Sequence, residues 1–423
     1  MKEAKSNRSL FLLAGPGLML AATGVGAGDL AGGAFAGMKL GLAVLWAVVV
    51  GAFFKFVITE GLARWQLITG TTLLEGAVLR LGRAVQWFFL LYLVVWSFGV
   101  GSSLISACGV AAHALLPVFD SASEAKIVFG IGHSIAGLIL VWIGSFRFLE
   151  RTMTTLVCFM IIVVLVTGVM IGTDWSEVVK GLLIPRVPAQ EGGVAWTLAL
   201  MGGVGGTLTV LCYGYWIREE NRNGPEDLRT CRIDLGISYF LMALFGIAMV
   251  ILASGTVLQG KGATLVVDLA NRLGDKMGNP ARLIFLWGAW AAVFSSLLGV
   301  WQAVPYLFAD FWHLFRSRGV TIDSFTPYKV DTKGKTYRGY LVLLALIPLI
   351  GLRFDFQIVQ KLNSVFGALV MPMVALALLL LNGKAAWIGT EHRNRWWTTV
   401  TLLGILLFFA WVGGPKLIAV FRG

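Results

Sequence analysis

The sequence predicts an all-α integral membrane protein that forms a single transmembrane domain over residues 1–423. Three observations support this fold class. The chain is 57% hydrophobic and only 13% charged, whereas soluble domains carry about 25% charged residues. Its apolar residues fall into eleven segments, which with their flanks approach the roughly 20 residues that a membrane-crossing helix needs. Two of these segments are interrupted by glycine-rich stretches at corresponding positions of the chain.

Charged residues lie mostly between the apolar segments, as they do in multi-pass membrane proteins. The eleven predicted helices lie at residues 10–38, 42–63, 84–111, 126–146, 152–172, 194–217, 233–257, 281–312, 337–352, 359–382 and 396–414. With a cytoplasmic N-terminus, Lys and Arg are more numerous in the cytoplasmic loops, which predicts that orientation in the plasma membrane and an external C-terminus. Membrane topology therefore explains the net charge of +12, and no nucleic-acid motif accompanies it.

The glycine-rich interruptions predict the arrangement of the helices. Gly24–Asp29 interrupts the first segment, and Gly202–Thr209 interrupts the sixth. Residues 10–172 and 194–382 thus each hold five segments and begin with a broken helix, and an odd number of crossings inverts the second repeat. This pattern is typical of the LeuT-type five-plus-five inverted repeat with broken helices 1 and 6, here with an extra helix at 396–414. The alternative is that glycines simply allow close helix packing.

Paired broken helices mark the binding site of secondary transporters, which predicts a substrate between Gly24–Asp29 and Gly205–Leu211. Enzyme readings find no support, because the sequence lacks a nucleophile elbow, a Walker A loop and an HExxH motif. The four cysteines show no CxxC spacing and predict neither a disulfide nor a metal framework. We therefore expect no enzymatic activity and no cofactor.

Short motifs spread along the chain resemble those of one transporter family. They are Leu13–Leu18 in the first segment, Ile68–Gly70 with Leu74 and Glu75 after the second, Arg147–Glu150 before the fifth, Trp175–Pro185 after it, Phe294–Ser296 in the eighth and Leu380–Lys384 at the end of the tenth. In order and spacing they are similar to motifs of the Nramp divalent-metal transporters over nearly the whole chain. The resemblance implies a LeuT-type fold and transport of a small ion.

The chain departs from the family pattern at the site itself. Where the family reads Asp-Pro-Gly-Asn, this sequence has Gly26–Asp29, so the metal-binding aspartate becomes Gly26 and the asparagine becomes Asp29. The family's Met-Pro-His becomes Thr209–Leu211, and its acidic residues of the third helix are missing from Trp96–Ser102. The resemblance therefore carries over the fold, but neither the metal selectivity nor the proton route.

The residues left at the two breaks favour an anion. Transition metals need imidazole, thiolate, thioether or carboxylate ligands, and Asp29 is the one such group at either break. Broken helices present N–H groups and positive dipole ends, and glycine-rich turns can form anion nests. We predict a small inorganic anion, with bicarbonate favoured and no metal ligands. The predicted substrate-binding residues are Gly26, Ala27, Gly28, Asp29, Lys55, Gly205, Gly206, Thr207, Thr209 and Leu211.

Lys55 lies near the midpoint of the second predicted helix, where a lysine costs about 2.5–3.5 kcal/mol. An anionic substrate would offset this cost by direct attraction. An ion pair with Asp29 would offset it equally, because the two residues lie at similar depths, within about 6 Å along the membrane normal. The third alternative is a side chain that snorkels or faces lipid. The sequence leaves all three open.

Two other functions are compatible with the sequence. One is transport of a hard divalent ion such as Mg²⁺, which one or two carboxylates can hold, with or without proton coupling. The other is a transporter-like receptor or scaffold that binds without transport. Asp29 and His133 are the candidate coupling residues, although an intramembrane histidine such as His133 is also explained by packing. The predicted partners are a small ion and the lipid bilayer, and the oligomeric state is not predicted.

Overall fold

The structure is a computed structural model that describes residues 15–190, 192–255, 265–317 and 325–422. In these ranges the regular structure is helical and no β-strand occurs. A helix satisfies its backbone hydrogen bonds internally, which is what a segment surrounded by lipid requires. The prediction of an all-α fold is confirmed.

The helices of the first half begin at the first described residue. They are α1 (Gly15–Gly24), α2 (Gly32–Leu40), α3 (Leu45–Thr69), α4 (Leu73–Leu81), α5 (Arg83–Leu115), α6 (Ala122–Ile143), α7 (Phe146–Met170) and α8 (Trp175–Leu183). A π-helical turn (Val25–Ala31) joins α1 to α2, and a 3-10 turn (Gly41–Val44) joins α2 to α3.

The helices of the second half follow in the same manner. They are α9 (Gly193–Gly203), α10 (Tyr213–Glu219), α11 (Leu228–Ala253), α12 (Leu265–Met277), α13 (Asn279–Arg316), α14 (Lys335–Leu346), α15 (Phe356–Ala368), α16 (Val370–Asn382), α17 (Ala385–Ile388) and α18 (Trp396–Arg422). 3-10 turns at Leu208–Cys212, Pro225–Asp227 and Ile347–Arg353 precede α10 and α11 and follow α14.

Every predicted apolar segment coincides with helix in the described part of the chain. By length and composition, eight helical stretches there can cross a membrane, and Phe366–Asn382 and Trp396–Trp411 are shorter apolar helices. The stretch Asp29–Thr69 has 41 residues, about 60 Å of helix against a hydrocarbon core of about 30 Å. It therefore contains the end of the first predicted segment and the whole of the second, joined at the Gly41 turn.

The two glycine-rich interruptions differ in form. The first interruption stays helical, because Val25–Ala31 forms a wider π-helical turn that is continuous with α1 and α2. Such turns often mark functional sites. The second unwinds: α9 ends at Gly203, and the chain becomes helical again only at Leu208. Gly205 and Gly206 take φ angles of +77° and +83° there, which glycine adopts without strain.

Burial separates central from peripheral helices. The most apolar window of Gly193–Glu219 is 83% buried and that of Asn279–Arg316 is 78% buried, whereas only 28% of the Ala122–Ile143 window is buried. The sixth and eighth predicted helices therefore lie in the centre of the bundle, and α6 turns most of its surface outward. The unwound stretch of the sixth helix is consequently enclosed by protein, which irregular backbone at membrane depth requires.

Local sequence signals fix several helix ends. Gly70, with φ +73°, ends α3 in the left-handed conformation, a common helix terminator. Thr72 and Glu75 then form a capping box at the start of α4, since each side chain accepts a hydrogen bond from the other residue's N–H, at 3.0 and 2.6 Å. This reciprocal pair satisfies two donors that a helix start leaves free.

Candidate functional site

The unwound stretch of the sixth helix leaves backbone carbonyl groups without the amide partners of a continuous helix. Lys55, in the middle of α3, donates to three of them. Its Nζ lies 2.9 Å from the carbonyl oxygen of Gly202 and 3.1 Å from that of Val204, and it also bonds the carbonyl oxygen of Gly206. An ammonium group has three N–H donors, so all three are used. Lys55 is 1% exposed and therefore lies inside the protein, away from lipid.

Asp29 also binds the unwound stretch, through the backbone N–H of Gly205. Both carboxylate oxygens accept from the backbone nitrogen of Gly205, at 3.2 and 3.3 Å, and the side chain is buried. Within the described residues no direct hydrogen bond or ion pair joins Asp29 to Lys55. The two charges instead hold one backbone segment between them. The N–H of Gly205, predicted to meet an anionic substrate, thus meets a carboxylate of the protein.

The first helix packs closely on the second break. A Cβ atom placed on Gly24 would lie 2.5 Å from the backbone nitrogen of Gly206, which is closer than any side chain tolerates. Next to this contact, the N–H of Gly26 donates to Ser296 Oγ at 2.8 Å, and Ser296 in turn donates to the carbonyl of Ala22 at 2.8 Å. Ser296 of α13 thus stabilises the π-helical turn.

Beside these contacts lies a small buried cavity. Its polar lining consists of Thr23, Trp96, Thr207, Thr209 and Asn363, with the glycine backbone of Gly24 and Gly206 between them. Its volume is about 20 Å³, and a single water needs about 10–15 Å³ by the same measure. The cavity therefore has room for one water-sized particle.

Hydrogen bonds within the cavity lining determine which of its donors and acceptors remain available to a ligand. The indole N–H of Trp96 donates to Thr207 Oγ1 at 3.0 Å, so the Thr207 hydroxyl proton points elsewhere. The hydroxyl of Thr209 has no partner among the described residues, and the Oδ1 of Asn363 is a buried acceptor without a hydrogen bond. The lining therefore combines hydroxyl donors with an amide acceptor.

The predicted site residues do not all lie at the cavity. Gly206, Thr207 and Thr209 line the cavity. Asp29, Lys55 and Gly205 lie behind it and hold the break, while Gly26 bonds Ser296. Leu211 is buried in the 3-10 turn and does not reach the lining. The surroundings of Ala27 and Gly28 lie outside the described residues, although the two belong to the π-helical turn.

Sequence reasoning missed Trp96, Thr23 and Asn363. A signal existed for Asn363, an amide inside the apolar segment 359–382, because polar side chains within membrane helices tend to face the bundle interior. Trp96 was noted only as part of a run without acids. Nothing in its local pattern indicates that its indole N–H points to Thr207.

His133 lies away from the cavity, between α6 and α13. Its Nε2 accepts a hydrogen bond from the indole N–H of Trp290 at 2.8 Å, and its Nδ1 lies 2.7 Å from the carbonyl oxygen of Phe129. These partners define a neutral imidazole with the proton on Nδ1. Because both nitrogens are committed, we expect His133→Gln to leave ion flux and its pH dependence unchanged in proteoliposomes. Loss of flux in this variant would restore His133 as a coupling residue.

Candidate metal ligands are not brought together in the part of the chain that the structure describes. No group of three or more His, Cys, Asp or Glu side chains there could hold a metal ion. Cys108, Cys158, Cys212 and Cys231 are all free thiols.

Solved structures with the same architecture define the class of protein. The Eremococcus coleocola manganese transporter, in complex with an aromatic bis-isothiourea substituted compound, superimposes with a TM-score of 0.74 at 16% identity, covering 97% of this chain and 87% of that one. MhsT in complex with L-phenylalanine gives 0.62 at 14% identity, covering 94% and 97%. The chain therefore has the LeuT-type fold, as the inverted-repeat pattern predicted.

Comparison of sequences narrows the class to a family. A model described as natural resistance-associated macrophage protein-like matches residues 17–418, and the chain belongs to this Nramp family. Over 440 residues it is 24% identical to the divalent metal cation transporter MntH of Mycobacterium tuberculosis, covering 97% of this chain and 94% of that one. The motif resemblance found in the sequence is confirmed.

Proposed function

We propose that this Nramp-family transporter moves a small inorganic anion, with bicarbonate as the leading substrate, through the cavity at the second break. The observation that carries the proposal is the composition of the lining. It contains hydroxyl, indole and amide groups and no carboxylate, imidazole or thioether. A transition metal would meet none of its preferred side-chain ligands there, whereas an oxyanion would meet donors.

Bicarbonate suits the mixture of donors and acceptors. Its oxygens accept hydrogen bonds, and its one O–H group donates. The hydroxyls of Thr207 and Thr209 supply donors, since Trp96 already occupies an acceptor site of Thr207. The unpaired Oδ1 of Asn363 supplies an acceptor for the O–H group. A buried acceptor without a partner costs about 1–3 kcal/mol, which a bound bicarbonate would remove.

Local charge is compatible with a single negative substrate. The ammonium of Lys55 reaches the cavity wall through the carbonyl of Gly206, and the carboxylate of Asp29 binds the neighbouring Gly205. These two charges offset each other, so the lining itself is neutral and selects by hydrogen bonding. Bicarbonate is larger than a cavity of about 20 Å³, and its entry requires the lining helices to separate, as alternating access does in this class.

A hard divalent cation is the second candidate, on two observations. Asp29 is a buried carboxylate at the first interruption, and the MntH relative is named as a divalent metal cation transporter. In this alternative Asp29 would leave Gly205 and turn to the ion. Magnesium, which keeps several waters and needs only one or two carboxylates, is the cation most compatible with so few ligands.

The test is uptake into proteoliposomes of labelled bicarbonate, Mg²⁺ and Mn²⁺ by the purified protein. We expect bicarbonate flux, and we expect Thr209→Val to lower it by about tenfold, the effect of losing one hydrogen bond to a charged ligand. Thr197→Val is the matched control, because Thr197 is equally buried in α9 and its hydroxyl, among the described residues, bonds only the Gly193 carbonyl of its own helix. Cation flux that disappears in Asp29→Asn, without bicarbonate flux, would overturn the anion proposal.

A further inference from the structure

The contacts of Lys55 are those of a bound cation. Its ammonium is enclosed by the carbonyl oxygens of Gly202, Val204 and Gly206, and within the described residues no carboxylate bonds it directly. Backbone carbonyls of an unwound membrane helix, together with the C-terminal end of a half-helix, are the groups from which transporters build sites for coupling cations. The negative end of the α9 dipole adds to the attraction.

The carbonyl oxygens of Gly202, Val204 and Gly206 form a carbonyl cage around the Lys55 ammonium. This cage exists because the sixth helix is broken. In a continuous helix the carbonyls of Gly202 and Val204 would bond the amides four residues onward. Here the N–H of Gly206 turns back to the carbonyl of Gly203 at 3.2 Å, and Gly205 gives its N–H to Asp29. The carbonyl oxygens of Gly202, Val204 and Gly206 instead face one point, which the Lys55 ammonium occupies. A cation at that point satisfies all three acceptors at once.

We propose that this carbonyl cage is a monovalent-cation site, which this chain fills with its own Lys55 ammonium. The Nζ atom of Lys55 lies 2.9 and 3.1 Å from the carbonyl oxygens of Gly202 and Val204, the range of ordinary hydrogen bonds to an ammonium group. The tethered charge holds the second break in shape without a dissolved cation. The inference does not depend on which ion the protein transports.

Shortening Lys55 provides the test, because Lys55→Ala empties the cage while leaving its three oxygens and Asp29 in place. Thermal unfolding of the purified protein is measured at fixed pH and ionic strength in methylammonium, ethylammonium, Na⁺, K⁺ or choline chloride. We expect the Tm of the unmodified protein to be the same in all five salts. We expect Lys55→Ala to unfold earlier and to regain about 3 °C or more, saturably, with a small ammonium or alkali cation and not with choline.

Lys55→Met is the matched variant, since methionine fills the space of the lysine stem but carries no charge. We expect it to be destabilised and insensitive to every salt, because its side chain fills the space next to the carbonyl oxygens that a small cation would need. Should Lys55→Ala fail to fold in choline, the yield of monodisperse protein in ethylammonium becomes the measurement, and recovery is the expected result.

Three results would each overturn the proposal. The first is a Lys55→Ala protein whose Tm, or whose yield, does not respond to any small cation. The second is an equal response of Lys55→Met, which would show a general salt effect. The third is an unmodified protein that gains the same stabilisation, because its cage would then not be filled.

Discussion

Asp234→Ala is expected to lower the free energy of unfolding by about 3–5 kcal/mol, the usual effect of leaving a buried charge without its partner. Asp234 is fully buried in α11 and accepts from Arg222 at 3.0 Å, from the Tyr213 hydroxyl at 2.9 Å and from the N–H of Gly17 at 3.0 Å. Burial lowers the pKa of the Arg222 guanidinium, but the Asp234 carboxylate, together with Tyr213 and Cys231, raises it by more, so that this pKa lies above its ordinary value.

The measurement is thermal or denaturant unfolding in detergent, with Glu177→Ala as the control. Glu177 forms an ion pair with Lys180 at 2.7 Å on the surface, where both side chains are more than half exposed, and its loss is expected to change stability little. Asp234→Asn keeps hydrogen-bonding capacity without charge and is expected to fall between the two. Equal stability of Asp234→Ala and Glu177→Ala would show that α1 is not anchored through Asp234.

Gly24→Ala is expected to reduce ion flux at least tenfold and to destabilise the protein by about 1–3 kcal/mol, the usual cost of overpacking. The added methyl group would lie 2.5 Å from the nitrogen of Gly206 and 2.8 Å from the carbonyl carbon of Gly205. Both atoms belong to the backbone and cannot rotate away. The first helix must therefore move off the second break, which disrupts the cavity wall that Gly24 and Gly206 share.

Gly32→Ala is the control for Gly24→Ala. Gly32 begins α2 in the same segment, and a Cβ atom there would meet nothing within 4 Å. We expect this variant to keep its flux and to gain slightly in stability, because alanine favours the helix by about 1 kcal/mol over glycine. Flux lost equally in both variants would point to a requirement for backbone flexibility along the whole segment, and would contradict the packing explanation.

Much of the fold follows from local sequence, and the two breaks show where local sequence becomes insufficient. Paired glycines predicted an interruption of the sixth helix, and Gly205 and Gly206 do adopt the positive φ angles that favour glycine. The first stretch, equally rich in glycine, stays wound as a π-helical turn. The Gly26 N–H there is bound by Ser296, 270 residues away in the chain. A partner at that separation leaves no mark on the local pattern.

The sequence indicates the charged residues of the candidate site but not the groups that they bind. Lys55 and Asp29 were identified because charges at membrane depth are expensive and need an explanation. Their partners were not, since backbone N–H and carbonyl groups occur at every residue and carry no sequence signal. The two partners predicted for Lys55, an anionic substrate and the Asp29 carboxylate, are both charged groups. The structure instead joins each charge to the unwound backbone.

The contrast in burial between helices bears on how freely the sequence can change. Lipid can surround an apolar side chain of almost any shape. Only 28% of the apolar window of Ala122–Ile143 is buried, so most of its apolar side chains can be replaced by other apolar side chains. Gly193–Glu219, with 83% buried, touches other helices on nearly every side and has few acceptable replacements. In a library randomised over both stretches and selected for folded protein, we therefore expect varied apolar residues over Ala122–Ile143 and mostly the parental residues over Gly193–Glu219.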